Sequence, residues 1–214
     1  MNSQVYCQEV LDACHKMEAC GMTVGTWGNI SIRCDDEHFV ITPSGMNYST
    51  LSTEDIVTVS LQGEIVQGER KPSIEVGLHG SIYRARDDVR AILHTHPQFS
   101  TAFAIARKDI PPVSEELVQI VGEGVLCAKY ALPGTDELAQ YAVEALGDRS
   151  AVLVANHGAI CVGESIQQAF MVAEVLEKSS RAIIYASIVG QPHVISHEDC
   201  LMMRDFVANK YGQR

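Results

Sequence analysis

The chain has 214 residues, of which 46% are hydrophobic, and carries a formal net charge of −11. That length supports one sizeable α/β core, so residues 1–214 are expected to form one domain, and an acidic chain without a basic cluster excludes nucleic acid and anionic membrane as partners. No apolar run approaches a membrane span, Met1-Asn2-Ser3-Gln4 lacks a charged-then-apolar signal pattern, and seven cysteines without a C-x-x-C pair point to reduced thiols in a cytoplasm.

In chain order, Ser3 to Ala19 reads as an amphipathic helix, with Val10, Leu11, Cys14 and Met17 on one stripe. Ile30 to Arg33 and His38 to Thr42 alternate across the acidic turn Cys34-Asp35-Asp36-Glu37 and predict a hairpin. Ile56 to Leu61 and Glu64 to Val66 predict a second around Gln62-Gly63. Pro72 and Ser73 then start a helix that runs to Ala85 and places Glu75 in its first turn, where the helix dipole favours a carboxylate. The short turn Arg86-Asp87-Asp88 leads into the apolar strand Ala91-Ile92-Leu93-His94-Thr95-His96, closed by Pro97. Helices follow over about residues 99–106 and 113–121, and then a strand from Val125 to Tyr130. Thr135 caps a helix to Leu146, strands around Val152 and Ile160 flank His157, Ser165 caps a long helix to Ile188, and Ser196 caps a last one from Glu198 to about Lys210. Hairpins mixed with βα units imply a mixed sheet covered by helices.

Three of these elements carry metal chemistry. Side chains alternate along a strand, so His94 and His96 point to the same face and can bite one ion. His157 ends another apolar strand in the polar turn Asn156-His157-Gly158. Three imidazoles suit zinc and leave a coordination position open, which is the pattern of a catalytic site, although manganese, cobalt or iron(II) also fit such a donor set. The helix-turn-strand hairpin brings Glu75 to the same end of the layer, as a fourth ligand or as a general acid/base beside the metal. The remaining histidines take no functional role: His15 and His38 lie in helix and hairpin without partners, His79 reads as helix packing, and His193 and His197 flank the start of the last helix. Trp27 is expected to pack beneath the Gly28-Asn29 loop.

The segments Gly25-Thr26-Trp27-Gly28-Asn29-Ile30-Ser31, Thr42-Pro43-Ser44-Gly45, Pro72-Ser73-Ile74-Glu75, His94-Thr95-His96 and Asn156-His157-Gly158 occur together, in one order. With them the chain resembles the class II aldolase/adducin-head family over nearly all its length. The resemblance implies a three-layer α/β/α sandwich with a mostly antiparallel central sheet. It also implies a zinc-dependent aldolase, one ion per subunit on His94, His96 and His157, cleaving a ketose 1-phosphate of the fuculose, rhamnulose or 5-deoxyribulose type to dihydroxyacetone phosphate and a short aldehyde. Gly28, Asn29, Ser44, Gly45 and Ser73 match positions that hold the substrate phosphate, where backbone N–H groups and short hydroxyls converge on an anion. Glu75 would move the proton at the enediolate carbon. Tyr211, in Lys210-Tyr211-Gly212, matches a tail tyrosine acting at the aldehyde oxygen, supplied by a neighbour in a homotetramer whose active sites lie between subunits.

Two departures from the family pattern open alternatives. Ile74 stands where a second hydroxyl residue often precedes the glutamate, which removes a donor worth roughly 1.5–3 kcal/mol if it met a charged oxygen. Counting from His96, Glu115 in Ser114-Glu115-Glu116 falls where the aldolases carry a tyrosine, and the dehydratase branch uses a glutamate in this region. Decarboxylation or dehydration of a related sugar-acid or sugar phosphate is therefore the second reading. The epimerase branch has an aspartate at the place of Glu75, and the adducin head, a binding module, lacks the metal histidines.

Overall fold

A computed structural model of the chain describes residues 3–210. Its centre is an eight-stranded sheet in the order β4-β3-β2-β1-β5-β8-β7-β6. The strands are β1 (Asn29–Arg33), β2 (His38–Ile41), β3 (Val57–Ser60), β4 (Ile65–Gln67), β5 (Ala91–Thr95), β6 (Cys127–Ala128), β7 (Ala151–Val154) and β8 (Gly158–Gly163). Every neighbouring pair is antiparallel except β6 with β7. The helices are α1 (Ser3–Ala19), α2 (Val76–Ala85), α3 (Gln98–Ala106), α4 (Glu115–Ile120), α5 (Asp136–Leu146), α6 (Ile166–Val189) and α7 (His197–Asn209).

Strand alternation splits the core in two. Ile30, Ile32 and Leu93 face one side and pack with Val10, Cys14 and Met17 of α1 and with Phe170, Val172 and Leu176 of α6. Ile41, Ile92 and Ile160 face the other and pack with Leu78, Ile82 and Tyr83 of α2 and with Leu138 and Ala142 of α5. The result is the expected three-layer sandwich with a mostly antiparallel sheet. Both central strands, β1 and β5, are buried along their whole length, so polar side chains on them must find partners inside the protein.

Several boundaries differ from the sequence reading for local reasons. The strand expected from Val125 to Tyr130 shrinks to Cys127–Ala128. Val125 instead bridges Ile110, and the Cys127 N–H donates to Asp109 Oδ1 at 2.8 Å, away from any strand neighbour. The helix expected from residue 113 begins at Glu115, because the Ser114 hydroxyl caps it by accepting from the Leu117 N–H. Glu75 precedes α2 at its N-cap position and does not occupy the first turn, and its carboxylate makes no capping bond. The caps at Thr135, Ser165 and Ser196 form as expected. All seven cysteines are free thiols, four of them buried. Among the described residues no helix is long and apolar enough to cross a membrane.

Candidate active site

The site is built at one end of the two central strands. Asn29 of β1 lies directly opposite His94 of β5, and His94 in turn lies opposite Ile160 of β8. Past the end of β5 the His96 N–H donates to the Met22 carbonyl at 2.8 Å, which fixes the residue after the strand stops. His157 sits in the three-residue turn between β7 and β8, where Asn156 takes the left-handed conformation at φ 59°. Gly158 follows because a Cβ there would run into the Thr95 carbonyl and stand 3.0 Å from the His96 ring. That close approach brings the two histidine-bearing segments together.

Within this frame the three imidazoles converge. His94 Nε2 lies 2.8 Å from His96 Nε2 and 3.2 Å from His157 Nε2. The ring centroids are 4.6 to 4.8 Å apart. His94 Nδ1–H donates to the Ala159 carbonyl at 3.0 Å, so its Nε2 carries the bare lone pair. Burial pushes the His94 imidazole down to about 4 and the His96 imidazole to about 3, with the neighbouring histidines adding to the shift at His96. His157 is lowered as well, again chiefly by burial. Neutral rings that aim nitrogen lone pairs at one point form a ligand set. Tetrahedral nitrogen ligands about 2.0–2.1 Å from a zinc ion stand about 3.3 Å apart, close to the spacing seen here. The residues therefore fit a divalent cation, as the sequence implied for His94, His96 and His157.

Glu75 completes the cluster. It is 4% exposed, and its Oε2 lies 3.2 Å from His94 Nε2 while Oε1 lies 3.8 Å from His157 Nδ1. Asn29 Nδ2–H donates to Oε2 at 2.7 Å, and Oε1 has no hydrogen-bond partner among the described residues. A buried carboxylate with one tethered and one free oxygen is poised to exchange a proton with a bound molecule. Together with His96 and His157 it lines an open cleft, with His94 buried behind them.

The same cleft is walled by Gly28, Asn29, Ser44, Gly45 and Ser73, all five of the residues expected at an anion. Two loops are stitched side by side to make that wall: the Ser73 N–H donates to the Thr42 carbonyl at 3.0 Å and the Ser44 N–H to the Lys71 carbonyl at 2.9 Å. Gly28, at φ 77°, rests on the backbone of β5, since a Cβ would stand 2.6 Å from the His94 carbonyl oxygen. The space beneath this loop is filled by Tyr48, whose hydroxyl donates to the Gly28 carbonyl at 2.6 Å. Trp27 is thereby displaced from its expected place. It is 64% exposed and holds its ring 6.0 Å from that of His96, at the mouth of the cleft.

The profile of the family described as the class II aldolase and adducin N-terminal domain matches residues 8–184. The chain belongs to this family. It is 39% identical over 193 residues to the 5-deoxy-D-ribulose 1-phosphate aldolase of Bacillus thuringiensis serovar kurstaki, spanning 90% of each chain. To the L-fuculose phosphate aldolase of Escherichia coli K12 it is 31% identical over 193 residues, covering 90% of this chain and 89% of that one. A solved structure of an L-fuculose 1-phosphate aldolase superposes with a TM-score of 0.92 at 34% identity, covering 96% of this chain and 97% of the other.

Other sequence expectations fall elsewhere. Glu115 is exposed on the first turn of α4 and is not among the residues lining the cleft within this chain. Its neighbour Glu116 pairs with Lys178 at 2.5 Å. Tyr211 lies outside the described residues. Ile74 lines the cleft and is 64% exposed, an apolar side chain where the family often has a hydroxyl. The sequence reading missed the real setting of His79, which is fully buried and hydrogen-bonded on both ring nitrogens to β1. The signal was present in β1 itself, where Asn29, Ser31 and Arg33 alternate with Ile30 and Ile32 along a strand that is buried on both faces.

Proposed function

We propose that the protein is a metal-dependent lyase that cleaves a ketose 1-phosphate, with 5-deoxyribulose 1-phosphate the first substrate to test and fuculose 1-phosphate the second. The products would be dihydroxyacetone phosphate and acetaldehyde or lactaldehyde. The observation that carries this reading is the free, buried Oε1 of Glu75 beside three convergent imidazoles, inside a cleft walled by anion-ready loops. The names of the 39% and 31% identical relatives support the substrate class.

Zinc is the ion proposed for His94, His96 and His157, with manganese, cobalt or iron(II) as substitutes, and it would act as a Lewis acid for the negative charge that develops when C3–C4 breaks. The chain's own groups do the rest. Gly28, Asn29, Ser44, Gly45 and Ser73 hold the phosphate, with the Ser44 and Ser73 hydroxyls and the glycine N–H groups as donors, since an acidic protein cannot attract it by its overall field. Glu75 Oε1 delivers the proton to the enediolate carbon to complete dihydroxyacetone phosphate. The C4 hydroxyl needs a second proton acceptor, and among the described residues Glu75 is the single carboxylate lining the cleft, which no described tyrosine or lysine lines. That supports Tyr211, and less directly Glu115, as groups brought by a neighbouring subunit of a homotetramer. Ile188 and Val189 at the end of α6, Val194 in the segment that follows, and Leu201 and Met202 in α7 are all at least half exposed, as a subunit contact requires.

The test is a substrate panel on purified protein: fuculose, rhamnulose, ribulose and 5-deoxyribulose 1-phosphates and a 3-keto-tetronate phosphate, following aldehyde and carbon dioxide. Near-stoichiometric metal, with aldehyde release that is lost on chelation and restored by zinc, is the expected result. Carbon dioxide release without aldehyde would transfer the protein to the decarboxylase reading, and a stable metal-free protein that cleaves nothing would end the enzyme reading.

A further inference from the structure

Behind the Glu75–Asn29 contact runs a buried chain of side chains that the reaction described above does not use. Asn29 Oδ1 lies 2.6 Å from His79 Nε2, His79 Nδ1 lies 2.6 Å from Ser31 Oγ, and Ser31 Oγ lies 2.8 Å from the Tyr83 hydroxyl. The elements explain the row. Asn29 and Ser31 are two apart on β1 and share a face, while His79 and Tyr83 are four apart on α2 and share a stripe. His79, Ser31 and Tyr83 have no exposed surface, so each polar atom must be satisfied within the row.

The direction of these bonds follows from the far end. Glu75 Oε2 is an acceptor, so the Asn29 amide must turn its NH2 toward it, and its carbonyl then faces His79. A carbonyl only accepts, so His79 must carry its proton on Nε2. Its Nδ1 is then bare and accepts from the Ser31 hydroxyl, which in turn accepts from the Tyr83 hydroxyl. Burial holds this imidazole neutral, down to about 3, which keeps the single-proton tautomer in place. Every donor in the row points toward Glu75. An Asn29 amide turned the other way would set its carbonyl against the carboxylate and its NH2 against the histidine N–H.

We propose that His79 is a positioning residue for the lyase reaction: as its Nε2–H tautomer it locks the Asn29 amide, which tethers Glu75 Oε2 and leaves Oε1 as the oxygen that meets substrate. Ser31 and Tyr83 select that tautomer. This rests on the lyase reading for its effect on turnover, but the tautomer itself does not. Residues that orient a reacting group from behind commonly cost about ten- to hundredfold when removed, because a small misplacement is enough.

The experiment uses the full chain, wild type and three variants, loaded with zinc and assayed on 5-deoxyribulose 1-phosphate. His79→Leu removes the donor to Asn29, His79→Gln keeps an N–H where Nε2 stands, and Ser31→Ala removes the tautomer-selecting hydroxyl with little change in volume. His79→Leu is expected to lower kcat about ten- to hundredfold with KM and zinc content within about threefold of wild type. His79→Gln should recover most of that loss, and Ser31→Ala should fall between. In parallel, 15N spectra of metal-free, histidine-labelled protein should show His79 with its proton on Nε2, and Ser31→Ala should mix the two tautomers. If His79→Leu does not fold, the Gln and Ala variants and the spectra still decide. A folded His79→Leu with wild-type kcat, a His79→Gln no better than Leu, or a proton found on Nδ1 would overturn the proposal. Should no ketose 1-phosphate be cleaved by wild type while His79 shows the Nε2–H tautomer, the lyase reading fails and the row stands.

Discussion

Glu75 shows how a single carboxylate is given two unlike oxygens. Oε2 accepts from Asn29 and sits beside His94, while Oε1 is buried with no hydrogen-bond partner among the described residues. Leaving a buried acceptor unpaired costs on the order of 1–3 kcal/mol, so its persistence beside an open cleft points to a ligand group that completes it. Glu75→Gln keeps the shape and can still accept from Asn29, and it removes the proton-carrying oxygen. It is expected to retain the metal and to lower kcat by about two to four orders of magnitude, the range for a positioned acid/base. Metal analysis alongside the kinetics separates the roles: a variant that loses its metal would mark Glu75 as mainly a ligand, and one with full turnover would remove it from the mechanism.

At the scale of the element, the site depends on backbones that touch. Gly28 at φ 77° presses on the His94 carbonyl, and Gly158 abuts the Thr95 carbonyl at the end of the same strand. Gly45 has a similar dihedral, φ 67°, but open space around it. The pair separates strain from contact. Gly45→Ala pays only for the left-handed backbone, about 1 kcal/mol, whereas Gly28→Ala must also move β1 away from β5 and should lose about 2–4 kcal/mol in urea titration together with zinc affinity. Equal losses at the two positions would show that the Gly28–His94 contact is not what holds β5.

At the scale of the molecule, Glu75 is the single carboxylate that lines the cleft among the described residues, while the proposed cleavage of a ketose needs proton transfer at two atoms. The neighbour-supplied Tyr211 answers that need in the reading proposed here. Removing residues 209–214 is expected to leave zinc content and assembly nearly unchanged while depressing turnover and altering selectivity between acetaldehyde and lactaldehyde. Sedimentation of the full chain should report a tetramer. A tail-less protein with wild-type turnover would reduce Tyr211 to a terminus, and a fully active monomer would dispose of the shared site.

The sequence by itself determined the order of elements, the caps at Thr135, Ser165 and Ser196, and the convergence of His94, His96 and His157 as a candidate ligand set, because each rests on local spacing: alternation along β5, a turn after β7, a hydroxyl before a helix. It also carried the five motifs of the family, and the structure brings residues from each of them to one cleft. Three things were decided only by packing. The extent of β6 was set by Asp109 taking the Cys127 N–H, a contact eighteen residues distant in sequence. Trp27 was displaced to the mouth of the cleft because Tyr48, from a turn twenty residues further on, already occupied the space under Gly28. And His79, an unremarkable helical histidine in sequence, acquired its place behind Asn29 because α2 lies across the buried polar face of β1, where no water can satisfy Asn29 or Ser31 and only a facing helix can.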